Sequence, residues 1–103
     1  MKKILLCCGS GASSGFMAKN ASNAAKARGL DVSIKARSES EVEDYLDDLD
    51  LVMVGLHFKH RLEAIKEIAE EYNVPVTLID GQTYGSLDGE GLVDQIVEFL
   101  GLK

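Results

Sequence analysis

Apolar and polar positions come in blocks along this chain. Four short runs, KKILLCC (2–8), DVSIKAR (31–37), DLVMVGL (50–56) and VPVTLID (74–80), are rich in aliphatic residues. The first, third and fourth are almost continuously apolar, as in parallel strands covered on both faces. Pro75 stands at the start of the fourth run, where a strand tolerates a missing N–H. The segments between the runs repeat at the helical period. Ser13 or Ser14 can cap a helix running to about Arg28 and stopped by Gly29. Ala18, Ala21, Ala24, Ala25 and Ala27 let that helix lie close to a sheet. Val42, Tyr45, Leu46 and Leu49 fall at i, i+3, i+4 and i+7, giving an apolar stripe with acids opposite. Leu62, Ile65, Ile68, Ala69 and Tyr72 repeat it, and Leu92, Val93, Ile96, Val97 and Leu100 form a last helix.

Strands alternating with helices predict an α/β fold: a four-stranded parallel sheet with right-handed crossovers and helices on both faces. The 103 residues show no internal repeat, linker or low-complexity tract, so a single domain spanning 1–103 is expected. A composition of 46% hydrophobic and 27% charged residues fits a compact soluble protein.

Charge and cysteine content narrow the function classes. The net charge is −6, and seven of the seventeen acids crowd into ESEVEDYLDDLD, read as the solvated face of the second helix. No basic stripe is present to neutralise phosphates, which sets nucleic-acid binding aside. No apolar run is long enough to span a bilayer, and the apolar part of MKKILLCC is too short for a signal peptide, so a cytoplasmic location is expected. Adjacent Cys7 and Cys8 are poor disulfide partners for stapling a fold and read as thiols.

The first strand ends at these thiols, followed by Gly9, Ser10, Gly11, Ala12, Ser13, Ser14 and Gly15. In open α/β sheets, ligands bind beyond the carboxyl ends of the strands, where strand order reverses. Glycines and small side chains let the backbone curl with its N–H groups inward, and the following helix adds its own free N–H groups and positive dipole end. Such a loop holds anions, and a cysteine at its mouth is favoured as thiolate. Strand alternation keeps Cys7 and Cys8 from both facing the loop. Cys8 is nearer the amides, and Cys7 reads as a small core hydrophobe.

Rival uses of such a loop fail on named residues. A tyrosine phosphatase would need an arginine six places after the cysteine, where Ser14 follows Cys8 and Ser13 follows Cys7. The spacing Gly9, Gly11, Gly15 is one residue too long for a dinucleotide turn, and Phe16 replaces the P-loop lysine. The two cysteines and two histidines share no metal-ligand spacing, so neither metal nor cofactor is expected.

On CGSGASS (8–14), DLVMVGLHF (50–58) and IDGQTYGSLDGEG (79–91), the chain resembles the IIB component of the phosphoenolpyruvate-dependent sugar phosphotransferase system, lactose/cellobiose branch, over essentially its whole length. One departure is Leu56-His57 where family members often have Pro-Gln. The resemblance implies strand order 2-1-3-4 and a fold similar to low-molecular-weight tyrosine phosphatases. It implies a phosphocarrier enzyme in which Cys8 accepts a phosphoryl group from a phosphohistidine of the IIA protein. The group then passes to a sugar of cellobiose, lactose or chitobiose type in the membrane IIC component. Gly9 to Gly15 would wrap the phosphate. Ser10, Ser13 and Ser14 could bond it, or Ser13 and Ser14 could cap the helix. His57 and His60, on the same side of the sheet as Cys8, read as rim or as solvated surface. Tyr84 and Asp88 either line the rim, or form a turn in which Tyr84 packs and Asp88 caps the last helix. Asp80 reads as a turn residue with Gly81. The alternative class is a non-catalytic domain sensing phosphate or a nucleotide through the same loop.

Overall fold

The computed structural model describes residues 2–7, 12–37, 41–55, 60–79, 82–83, 86 and 88–101, with backbone only at 12–14. Strands are β1 (Lys2–Cys7), β2 (Val32–Arg37), β3 (Leu51–Val54) and β4 (Val76–Leu78). Helices are α1 (Ala12–Ala27), α2 (Val42–Tyr45), α3 (Leu62–Glu70) and α4 (Gly89–Leu100). All strand pairs are parallel, in the order β2-β1-β3-β4, as the resemblance implies.

Side-chain alternation divides the sheet between two apolar clusters. Ile4 and Leu6 of β1, Leu51 and Met53 of β3, and Ile34 of β2 meet Met17, Ala21 and Ala25 of α1 and Leu92, Val93 and Ile96 of α4. Leu5, Cys7, Val52 and Val54 point the other way, against Val42, Leu46, Ile65 and Ala69 from the α2 and α3 side. The middle strands β1 and β3 therefore fill both clusters, which is why their sequences run almost continuously apolar. At the edge, only Ile34 of β2 is buried and Lys35 is exposed.

Helix ends follow local rules. Gly29, with φ 72°, closes α1: its N–H donates to Lys26 O at 3.0 Å, and the Leu30 N–H donates to Ala25 O at 3.0 Å. The same left-handed cap ends α3 at Asn73 (φ 58°), where the Val74 N–H donates to Ala69 O at 3.1 Å. Asn is among the few non-glycine residues that tolerate this conformation. α4 starts under Asp88, whose carboxylate accepts from the Gly91 N–H at 3.1 Å.

Three expectations are corrected. α1 starts at Ala12, so Ser13 and Ser14 lie inside its first turn and cannot be the capping residue; the residue ahead of the helix, Gly11, lies outside the described residues. α2 is one turn, tightening to a 3-10 turn at Leu46–Asp48, and Leu49 is already extended. Asp47 and Asp48 fall where the helix dipole is negative, and Asp48 Oδ2 is drawn to Lys3 Nζ at 2.6 Å. Ile68 and Tyr72 leave the buried stripe of α3 and stand 37% and 39% exposed, since Ile65 and Ala69 alone carry that helix's fully buried contacts.

Candidate functional site

The first crossover, through α1, carries the chain from β1 to β2 on one side, whereas β3 pairs with the other side of β1. Strand order thus reverses between β1 and β3, and their carboxyl ends mark where an open α/β sheet takes its ligand. These ends stay joined to the last residue: the Gly55 N–H donates to Cys7 O at 3.1 Å, and the Ile79 N–H donates to Val54 O at 2.8 Å. The Gln95 amide of α4 donates to Leu78 O at 2.6 Å, tying the end of β4 to that helix.

Cys7 closes β1 with no exposed surface, packed into the α2 and α3 cluster beside Val54. The core reading of this thiol holds. Four residues, 8–11, join it to α1. Cys8, Gly9, Ser10, Gly11, His57, Asp80, Gly81 and Tyr84 lie outside the described residues.

Residues 12–15 form the first turn of α1, so the segment expected to wrap a phosphate is already helical in its second half. The opening N–H groups of an α-helix have no acceptor within the helix, and here they include those of Ala12, Ser13 and Ser14. No acid stands in that turn to offset the positive end of the dipole. Gly15 has open space where a Cβ would sit. The arrangement can hold an anion by backbone donors alone.

One cation near the site was not foreseen. Arg37 ends β2 in register with Cys7, level with the carboxyl edge of the sheet. Its Nε donates to the Tyr45 hydroxyl oxygen at 3.3 Å and its Nη1 to Ala36 O at 2.7 Å, and the guanidinium lies 5.5 Å from the Tyr45 ring centre. The bond to Tyr45 raises its pKa above the ordinary arginine value. The group is therefore anchored toward α2. A final Arg in the second apolar run was the available signal, but placing it level with Cys7 needed the strand register.

Asp88 takes the capping role of its two readings. It sits beside Asn20 and Asn23 of α1, about 12 Å of helix rise beyond Ala12. His60 and Arg61 are exposed just ahead of α3. Among the described residues no three metal-ligating side chains converge, and no helix is long and apolar enough to cross a membrane.

A parallel 2-1-3-4 sheet with its first helix starting five positions after the end of β1 defines the class shared by IIB domains and small phosphatases. A lactose-specific IIB domain from Streptococcus pneumoniae superposes with TM-score 0.81 at 20% identity, covering 95% of each chain. The YwlE arginine phosphatase, in a C7S mutant with a phosphorylated active-site serine, superposes at 0.66 with 17% identity, covering 98% of this chain and 96% of that one. At these identities the likeness is one of fold.

The family described as "PTS system, Lactose/Cellobiose specific IIB subunit" matches residues 3–95. The chain belongs to that family, the sugar-specific IIB components of a phosphotransferase system for sugar transport. The oligo-beta-mannoside-specific EIIB component of Bacillus subtilis is 28% identical over 97% of both chains. The lactose-specific EIICB component of Lacticaseibacillus casei is 27% identical over 94% of this chain, which spans 16% of that longer protein.

Proposed function

We propose that the chain is a cytoplasmic phosphocysteine carrier acting between a IIA phosphohistidine and a sugar in the membrane IIC component. In the first step the Cys8 thiolate attacks phosphorus in line. The P–S bond forms as the P–N bond breaks, and the imidazole leaves with the electron pair and takes up a proton. In the second, a sugar hydroxyl attacks the same phosphorus and loses its proton, and the P–S bond breaks to return the thiolate. A loose transition state of this kind needs positioning and charge stabilisation over three equatorial oxygens, with little else from the protein.

The observation that carries this reading is the start of α1 at Ala12, four residues after Cys8, which turns the donors of its first turn toward the end of β1. Membership of the IIB family supports it, and the phosphorylated serine of the YwlE mutant gives a precedent for a phosphoryl group on a fold of this class. The sugar is proposed to be of cellobiose, lactose or chitobiose type, in keeping with the disaccharide and oligosaccharide specificities named for the relatives.

The test is an intact-mass measurement after incubation with phosphoenolpyruvate, the general phosphotransferase components and a IIA protein. The expected result is one phosphoryl adduct, kept in Cys7→Ala and absent from Cys8→Ala. No adduct on the wild-type chain, or an adduct that survives Cys8→Ala, overturns the assignment.

A further inference from the structure

Phe16 is 65% exposed, one turn into the helix that leaves the candidate site. An aromatic ring held that far into water beside a reaction centre suits an interface anchor, since aromatic residues dominate the energetics of protein contacts. Phe16, Lys19, Asn23 and Lys26 are all exposed at i, i+3, i+7 and i+10, so they form one outward stripe along α1. α1 contains two lysines and no acid, in a chain with seventeen acids and a net charge of −6. The acids that approach α1 belong to α4 and gather at its far half. There Arg28 takes Glu90 at 2.9 Å and Asp94 at 2.7 Å.

Resting on the carrier reading above, we infer that the Phe16–Lys19 end of this stripe docks the soluble phosphohistidine donor, through an apolar socket rimmed by carboxylates. Charge selects between the two partners the carrier must serve. Cytoplasmic loops of membrane proteins carry an excess of Lys and Arg, so a membrane component is repelled by the lysines of α1. It is matched instead by the acid-bearing segment of α2 and the turn after it, where Glu43, Asp44, Asp47 and Asp48 are exposed. An acidic, soluble donor is attracted to the α1 stripe for the same reason.

The test measures phosphorylation rate against IIA concentration for the full chain, with phosphoenolpyruvate and the general components, at several salt concentrations. Phe16→Ala is expected to raise the donor concentration for half-maximal rate about ten-fold while the rate at saturation is kept. Lys19→Glu is expected to raise it as well and to flatten its dependence on salt. Phe99→Ala, removing a ring 48% exposed on α4, serves as a control expected to match wild type. Thermal melts verify that the variants fold. A phosphorylated wild type with unchanged donor dependence in both α1 variants overturns the inference alone. So does a defect confined to transfer onto the sugar-loaded IIC. A wild-type chain that accepts no phosphoryl group overturns the carrier reading, and the inference with it.

Discussion

Arg37 is placed to join the site, yet its guanidinium is held back. Its α-carbon is the register partner of Cys7, while its Nε and Nη1 donate to the Tyr45 oxygen and the Ala36 carbonyl. On the proposed carrier reading, phosphate is left to neutral backbone donors, which suits a carrier that must keep its phosphocysteine from water. Installing a guanidinium in the first turn tests this. Ser14→Arg is expected to shorten the lifetime of the phospho-form, followed by loss of radiolabel after the donor is removed; an unchanged lifetime counts against the idea. Residue roles were legible where one local rule decides them. A left-handed position suits glycine, so Gly29 marks a helix stop in the sequence itself, and strand alternation turns Cys7 from the loop into the core. Asp88 stays open in the sequence, because a carboxylate in a turn serves a rim or a cap equally well until the next helix begins on it.

At the scale of elements, the strands were legible and the short helices were not. Continuous apolar runs give β1 and β3 directly, because a strand buried on both faces has no polar position to blur it. The Val42–Leu49 stripe promised a longer helix than forms, since periodicity ignores the cost of acids at a helix's negative end and the pull of Lys3 from β1. The contact between α1 and α4 has no sequence signal either. A Cβ on Gly89 would overlap the Asn20 carbonyl and stand 2.7 Å from Ala21 N, so the two backbones meet at that glycine. Gly89→Ala is expected to push α4 from α1 and cost about 1–3 kcal/mol, read as a lower urea midpoint at unchanged slope. A midpoint equal to wild type would show that the helices separate freely.

For the whole molecule, both apolar clusters hang on the same two strands, so neither survives without the other. The radius of gyration, 12.2 Å, is close to the ~13 Å of a compact domain of about 100 residues. We propose that residues 1–103 unfold as one unit. Urea melts followed by far-ultraviolet circular dichroism and by tyrosine fluorescence are expected to coincide, with a slope of about 1–3 kcal/mol per molar. Transitions separated by probe would show two independent units.

The strand order also sets a timetable for synthesis. β1 emerges first, yet its partners on either side arrive with β2 and, later, β3. At ribosomal speeds of about 5–20 residues per second, the wait until Val54 is made lasts roughly two to nine seconds. Throughout it, the greasy Ile4–Cys7 segment has only the alanine-rich α1 and then β2 to lean on. Until its third strand closes the middle of the sheet, the nascent chain exposes an apolar strand of the kind that holdase chaperones bind.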